Sequence, residues 1–243
     1  MRKLRFVTAA TLMTAAATQA YASGTHIDIG IIPDQATFNA LVDQLGSVIP
    51  YEPVAPSEPL GTTGFDVGVV VTSYKIDREL WNSVVRGDNA PSRLPVPRLI
   101  ARKGLPFGVD VGASYSRVPS SNISVLGVGV SKALLDGSAM TPAVSVSGNY
   151  SRLSGVDDLR LSSYGVDLGI SKGFAMLTPY AGIGQIWYEG REQSAAVDYS
   201  TRNASQFRSY LGVRVGLLPF MSVTAQADFA HIDSYSLRLN LGF

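Results

Sequence analysis

Phe107-Gly-Val-Asp-Val-Gly-Ala-Ser-Tyr115 is the stretch that decides the fold. Phe107, Val109, Val111, Ala113 and Tyr115 form one face, and Gly108, Asp110, Gly112 and Ser114 form the other. A period of two puts successive side chains on opposite sides of a strand. One side here is apolar; the other is small or charged. The pattern returns at Tyr164, Val166, Leu168 and Ile170 against Gly165, Asp167, Gly169 and Ser171. It returns again at Leu211, Val213, Val215 and Leu217 against Tyr210, Gly212, Arg214 and Gly216. Its last instance sets Tyr235, Leu237, Leu239, Leu241 and Phe243 against Ser236, Arg238, Asn240 and Gly242.

Weaker runs of the same kind start at Phe65, Leu126, Val144 and Val223, while Pro97 disturbs the run at 96–102 and Gln185 leaves the facing of 180–188 undecided. The sum is ten strands, at 64–76, 95–103, 107–117, 122–133, 141–153, 160–172, 178–189, 205–218, 220–231 and 234–243. Most reach the ~9–11 residues with which a tilted strand crosses a bilayer. A soluble sandwich or barrel also alternates, so the connections must separate the two. Those near 104–106, 134–140, 173–177 and 219 are mostly short, whereas 77–94 and 190–204 are long and polar. Short turns at one end and long loops at the other are the asymmetry of a transmembrane barrel. Aromatic residues gather near strand ends (Tyr74, Phe107, Tyr115, Tyr150, Tyr164, Tyr180, Trp187, Tyr188, Phe207, Phe229 and Tyr235), as an interfacial girdle requires. The predicted fold class is all-β, an antiparallel up-and-down transmembrane β-barrel of ten strands with a short N-terminal helix.

Composition narrows the chemistry. The 243 residues carry a formal net charge of +1, no cysteine and two histidines, His26 and His231. Near-neutral charge gives no expectation of a nucleic-acid partner. Without thiolates or a histidine cluster, no metal centre and no cofactor are expected.

The N-terminal quarter reads differently. Arg2, Lys3 and Arg5 precede a short apolar run, Phe6 to Ala17, and Ala20-Tyr21-Ala22 fits a cleavage site. Residues 1–22 are therefore expected to be a signal peptide. In 23–60, Asp34 can cap a helix whose apolar positions Phe38, Leu41, Val42, Leu45 and Val48 share one face. Pro50, Pro53, Pro56 and Pro59 then recur every third residue, the period of polyproline II. This helix and linker are expected to lie on the periplasmic side of a barrel comprising 61–243. An apolar stripe fits poorly among Asp, Arg, Ser and Gly, so the helix is expected to stay outside the lumen, on the rim.

The leader, the repeated amphipathic strands and the final Ser236-Leu-Arg-Leu-Asn-Leu-Gly-Phe243 resemble those of Gram-negative outer-membrane β-barrel proteins. The resemblance covers 64–243 and points to no subfamily. It implies that Tyr235, Leu237, Leu239, Leu241 and Phe243 form the signal read by the barrel-assembly machinery, and that outer-membrane lipid is the surrounding partner.

Eight charges fall on the inward parity: Asp66, Asp110, Asp167 and Asp228 against Arg98, Arg208, Arg214 and Arg238. Asp167, Arg214, Asp228 and Arg238 are expected at similar depths, with Asp66 brought beside Arg238 by closure. Desolvating a lone charge is costly, so a cross-braced interior is the expectation and a narrow polar pore the alternative. His231, Asp233 and Ser234 raise the question of a lipid- or surface-acting hydrolase, as Asp157-Asp158 does of an acidic outer-rim site. Adjacent positions do not make a catalytic site, and no enzymatic activity is expected. The leading functional reading is passive transport or a structural envelope role; adhesion or receptor binding through loops 77–94 and 190–204 is a further one.

Overall fold

In the computed structural model of the chain, the described residues are 32–84, 91–117, 123–156, 158–194 and 198–242. The expected leader, Phe243 and Asp157 lie outside them. Helix α1 spans Gln35–Val48, strand β1 Phe65–Lys75 and the short helix α2 Arg78–Val84. The other strands are β2 Arg93–Leu105, β3 Val109–Arg117, β4 Ser124–Asp136, β5 Ala143–Ser154, β6 Leu159–Ser171, β7 Leu177–Glu192, β8 Arg202–Leu218, β9 Met221–Phe229 and β10 Ser234–Gly242. Each pairs antiparallel with its sequence neighbours, and β1 pairs with β10 from Asp66–Gly242 to Tyr74–Ser234, which closes a ten-stranded up-and-down barrel.

Closure removes every free edge, as a bilayer demands. The outward row of each strand is apolar and exposed, for example Val69, Leu99, Val128, Val166, Leu211 and Leu237. The inward row holds the buried polar groups. Three aromatics expected in the girdle, Tyr74, Tyr180 and Tyr188, instead point inward and are at most 5% exposed. Their parity decides this: each shares a face with inward-pointing residues of its own strand. Phe107 belongs to a tight 3-10 turn, Pro106–Gly108, at a left-handed φ of 65°, so β3 starts only at Val109.

The interior is not empty. Asp34 caps α1 by accepting a hydrogen bond from the Thr37 amide at 2.7 Å. That bond also holds the Asp34 carboxyl below its ordinary range. Phe38, Leu41, Val42, Leu45 and Val48, the predicted stripe, are all buried. Their surroundings overturn the rim placement. Val42 lies against Gly190 of β7, Gly46 against the Tyr188 ring, and the Val48 carbonyl accepts from Arg98 and Tyr74 of the wall. The helix therefore sits within the lumen, at the end that carries the longer loops.

The physical reason is that the lumen has two halves. Towards the long loops, the inward positions are Leu94, Val96, Leu153, Leu159, Leu161 and Ile186, which form one apolar cluster with α1. Towards the short turns they are Asp66, Arg102, Asp110, Ser131, Ser147 and Asp167. The stripe of α1 meets the first half only. The loop after β1 is not wholly solvated either. Helix α2 folds inward over α1, burying Trp81 and Val84, and the Trp81 indole donates to Gln44 Oε1 at 2.7 Å.

Candidate functional site

The site is the occupied lumen. Below α1 the linker runs through the polar half to the short-turn end, where Gly64 leads into β1. Tyr51 lies against two glycines of the wall: a Cβ at Gly112 would stand 2.1 Å from its hydroxyl, and one at Gly129 would stand 2.5 Å from its ring. Both positions must lack a side chain for the linker to pass. Val54, with a left-handed φ of 47°, is buried with Tyr51, Val70 and Ile100 in a small apolar contact that holds the bend. Farther down, the Ser57 amide donates to Ser171 Oγ at 3.1 Å and the Leu60 amide to Asp110 at 3.1 Å.

Charge pairing between segment and wall follows one strand. On β8, Arg202, Arg208 and Arg214 point inward at intervals of six residues. Arg202 donates to Asp43 of α1 at 2.9 and 3.0 Å. Arg208 pairs with Glu52 of the linker, and Arg214 with Glu58 at 2.9 Å. Three arginines along β8 thus meet three carboxylates in chain order.

The eight charges expected in the lumen all take inward positions, seven of them no more than 5% exposed; Arg214 is partly exposed near the short-turn mouth. Arg238 donates to Asp66 at 2.5 Å across the closing seam, as closure implied, and also to the Pro53 carbonyl at 2.8 Å. The expected grouping of Arg214 with Asp167, Asp228 and Arg238 is not formed. Arg208 takes that place, 2.8 Å from Asp167 and 3.9 Å from Asp228, because Arg214 lies six residues nearer the turn end and meets Glu58 instead. Arg102, which shares the parity of Arg98, bridges Asp110 at 2.9 Å and Asp66 at 3.9 Å. The sequence does not mark Glu52 and Glu58 as inward-facing, since the three-residue period of the prolines does not say which edge of the linker meets which wall.

Arg98 differs from the others. It donates to the Val48 carbonyl at 3.2 Å and to the Tyr74 hydroxyl at 3.4 Å, and its Nη1 has no partner among the described residues. At the short-turn mouth a cavity of about 250 Å³ opens between Leu60, Asp66, Arg214, Ser222 and Asn240, and the free space deeper in the lumen is small. A polar gap of about 30 Å³ lies between Tyr51 and Pro53 on one side and Arg102, Asp110 and Asn149 on the other, and an apolar one of about 40 Å³ separates α1 from Leu94, Val96 and Leu153. Each has room for no more than a few waters.

The sequence neighbours His231, Asp233 and Ser234 do not converge. His231 and Asp233 are exposed at the long-loop rim, whereas Ser234 is buried on the inward face of β10. Asp158 contributes its carbonyl to the Gln193 amide at 2.9 Å. On β10, Tyr235, Leu237 and Leu241 project outward, with Leu239 half-buried in the same row.

No protein-family model matches the chain, and no curated protein does. Among solved structures, an outer membrane channel from Pseudomonas putida F1 is similar at 12% identity and a TM-score of 0.45, over 79% of this chain and 100% of that one. The KdgM porin is similar at 10% identity and 0.36, over 73% of this chain and 99% of that one. Ail, the attachment invasion locus protein of Yersinia pestis, is similar at 11% identity and 0.33, over 74% and 97%. The chain's own wall shows the same kind of architecture: ten closed antiparallel strands, apolar outside, charged within. The chain is a closed ten-stranded up-and-down β-barrel with an apolar outer face, and its own N-terminal segment occupies the lumen.

Proposed function

We propose that this protein is a self-plugged passive conduit of the outer membrane, sealed at rest and open only when residues 32–60 leave the lumen. One observation carries the reading: the polar half of the barrel is filled by a linker held mainly through ion pairs and hydrogen bonds, with one small apolar contact at Tyr51 and Val54. The partly exposed Arg214–Glu58 pair exchanges readily with water and ions, and the buried Arg208–Glu52 pair is exposed to them once the linker moves. Helix α1 is held more firmly. Burying an apolar side chain is worth roughly 1.5–3 kcal/mol, so its five buried apolar positions contribute on the order of 10 kcal/mol, as an upper estimate. Spontaneous opening is accordingly rare, and the resting barrel serves the envelope as a closed element. Export through the leader at 1–22, recognition of the β10 row ending on Phe243 by the assembly machinery, and exposure of the long loops at the cell surface belong to the same reading.

Planar-bilayer recordings test it. The full mature chain should be silent, and a folded variant lacking residues 26–60 should show stable open steps. Stable steps from the full chain would overturn the plug. A folded but silent deletion variant would leave only the structural role.

A further inference from the structure

The wall that the segment covers carries a charge imbalance, and the segment corrects it. Among the described residues the wall's own carboxylates are already used. Asp66 is paired with Arg238, Asp110 with Arg102, and Asp167 with Arg208, which also lies 3.9 Å from Asp228. Among the described residues Arg214 has its ion pair only with Glu58, Arg202 only with Asp43, and no carboxylate lies within 4.0 Å of Arg98. Away from the rims, the inward face of the strands presents five arginines (98, 102, 208, 214 and 238) to four aspartates (66, 110, 167 and 228). Withdrawing Glu52 and Glu58 therefore changes the sign of the interior's net charge from negative to positive.

Register places three of these arginines on one cross-strand row, which descends the tilted wall from the Val48 carbonyl (Arg98) past Pro53 (Arg238) to Glu58 (Arg214). Val70 is opposite both Arg98 and Arg238, and Thr224 is opposite both Arg238 and Arg214. Arg98, Arg238 and Arg214 thus lie on one cross-strand row, at alternate strands, about 10 Å apart at ~4.8 Å per strand. Along β8 the spacing is about 20 Å at ~3.3 Å per residue, from the long-loop rim to the short-turn mouth.

We infer that the conduit behind the plug is selective for anions, with Arg98 and Arg214 at the two ends of this descending row as its selecting charges and the plug carboxylates occupying the positions of a permeating carboxylate solute. The inference rests on reading residues 32–60 as a removable plug. A low-dielectric wall focuses the field of uncompensated guanidinium groups into the opening, which raises the local anion concentration and excludes potassium. Spacings of 10–20 Å are too wide for a small carboxylate to bridge, so it passes from one arginine to the next and is not trapped between two.

The experiment measures reversal potential under a potassium chloride gradient in the variant lacking residues 26–60. A second preparation guards against failure of that variant to fold: the full chain carries a protease site inserted between Gly61 and Gly64, is folded, cut, and freed of its segment with urea. Chloride preference is expected, several-fold over potassium, falling towards unity in Arg98→Gln/Arg214→Gln. Citrate should block the open steps, and less so in that double variant. Open steps with potassium preference, or with no preference, would overturn the inference and leave the plug standing. If the emptied barrel is folded but silent, the conduit reading fails. Citrate would then be expected to raise the temperature at which the folded gel band is lost, and no rise would overturn the anion site as well.

Discussion

Arg238 is 1% exposed, and its guanidinium joins the closing seam to the linker through Asp66 and the Pro53 carbonyl. Removing one member of a buried pair leaves the other charged and desolvated, at a cost of roughly 3–5 kcal/mol. Arg238→Ala should therefore lower the temperature at which the compact band disappears in unboiled gel electrophoresis. An unchanged temperature would mean that Asp66 is adequately served by Arg102, 3.9 Å away. At this scale the sequence was legible through parity alone, because inward and outward residues alternate without exception around Asp66, Asp110, Asp167 and Asp228. Pairing was less legible. Which arginine meets Asp228 depends on interstrand offset, which alternation does not contain. Arg102 shared the parity of Arg98 and could have been placed inward on that signal.

The strands were the most legible elements and the N-terminal segment the least. Observed strand ends lie within three residues of those expected, even at β2, where prolines interrupt the pattern, because register with β1 is continuous through Pro95 and Pro97 and pairing with β3 starts beyond them at Arg98. Helix α1 was found by its cap and stripe, but its location was misjudged on the assumption of a uniformly polar lumen. The contrary signal was present: Leu94 and Val96 share the parity of Arg98, and Leu159 and Leu161 that of Asp167, so the inward face turns apolar towards the long loops. The inward glycines were a second signal, since a wall without side chains leaves room for something else. A size exchange tests the linker's path. Gly129→Phe should destabilise the barrel by displacing the Tyr51 ring, and Tyr51→Gly in the same chain should restore much of the loss. Additive effects of the two changes, read from the same gel transition, would place Tyr51 elsewhere.

At the scale of the molecule, the barrel is one wall around two different interiors. The apolar half anchors a helix, and the charged half holds a linker in register with the arginines of β8. Closure of the conduit follows from both, and it requires α1 to lie beside β7 with Val42 facing Gly190. A Cβ at residue 190 would stand 3.2 Å from that of Val42, slightly inside the usual Cβ separation of a disulfide, about 3.5–4.5 Å. The chain has no cysteine of its own, so Val42→Cys/Gly190→Cys introduces an unambiguous pair. Oxidation of the folded protein in lipid should give an intramolecular crosslink, detected by mass spectrometry as one peptide joining α1 to β7. Two free thiols that remain open to alkylation in the folded, oxidised protein would contradict a helix inside the barrel.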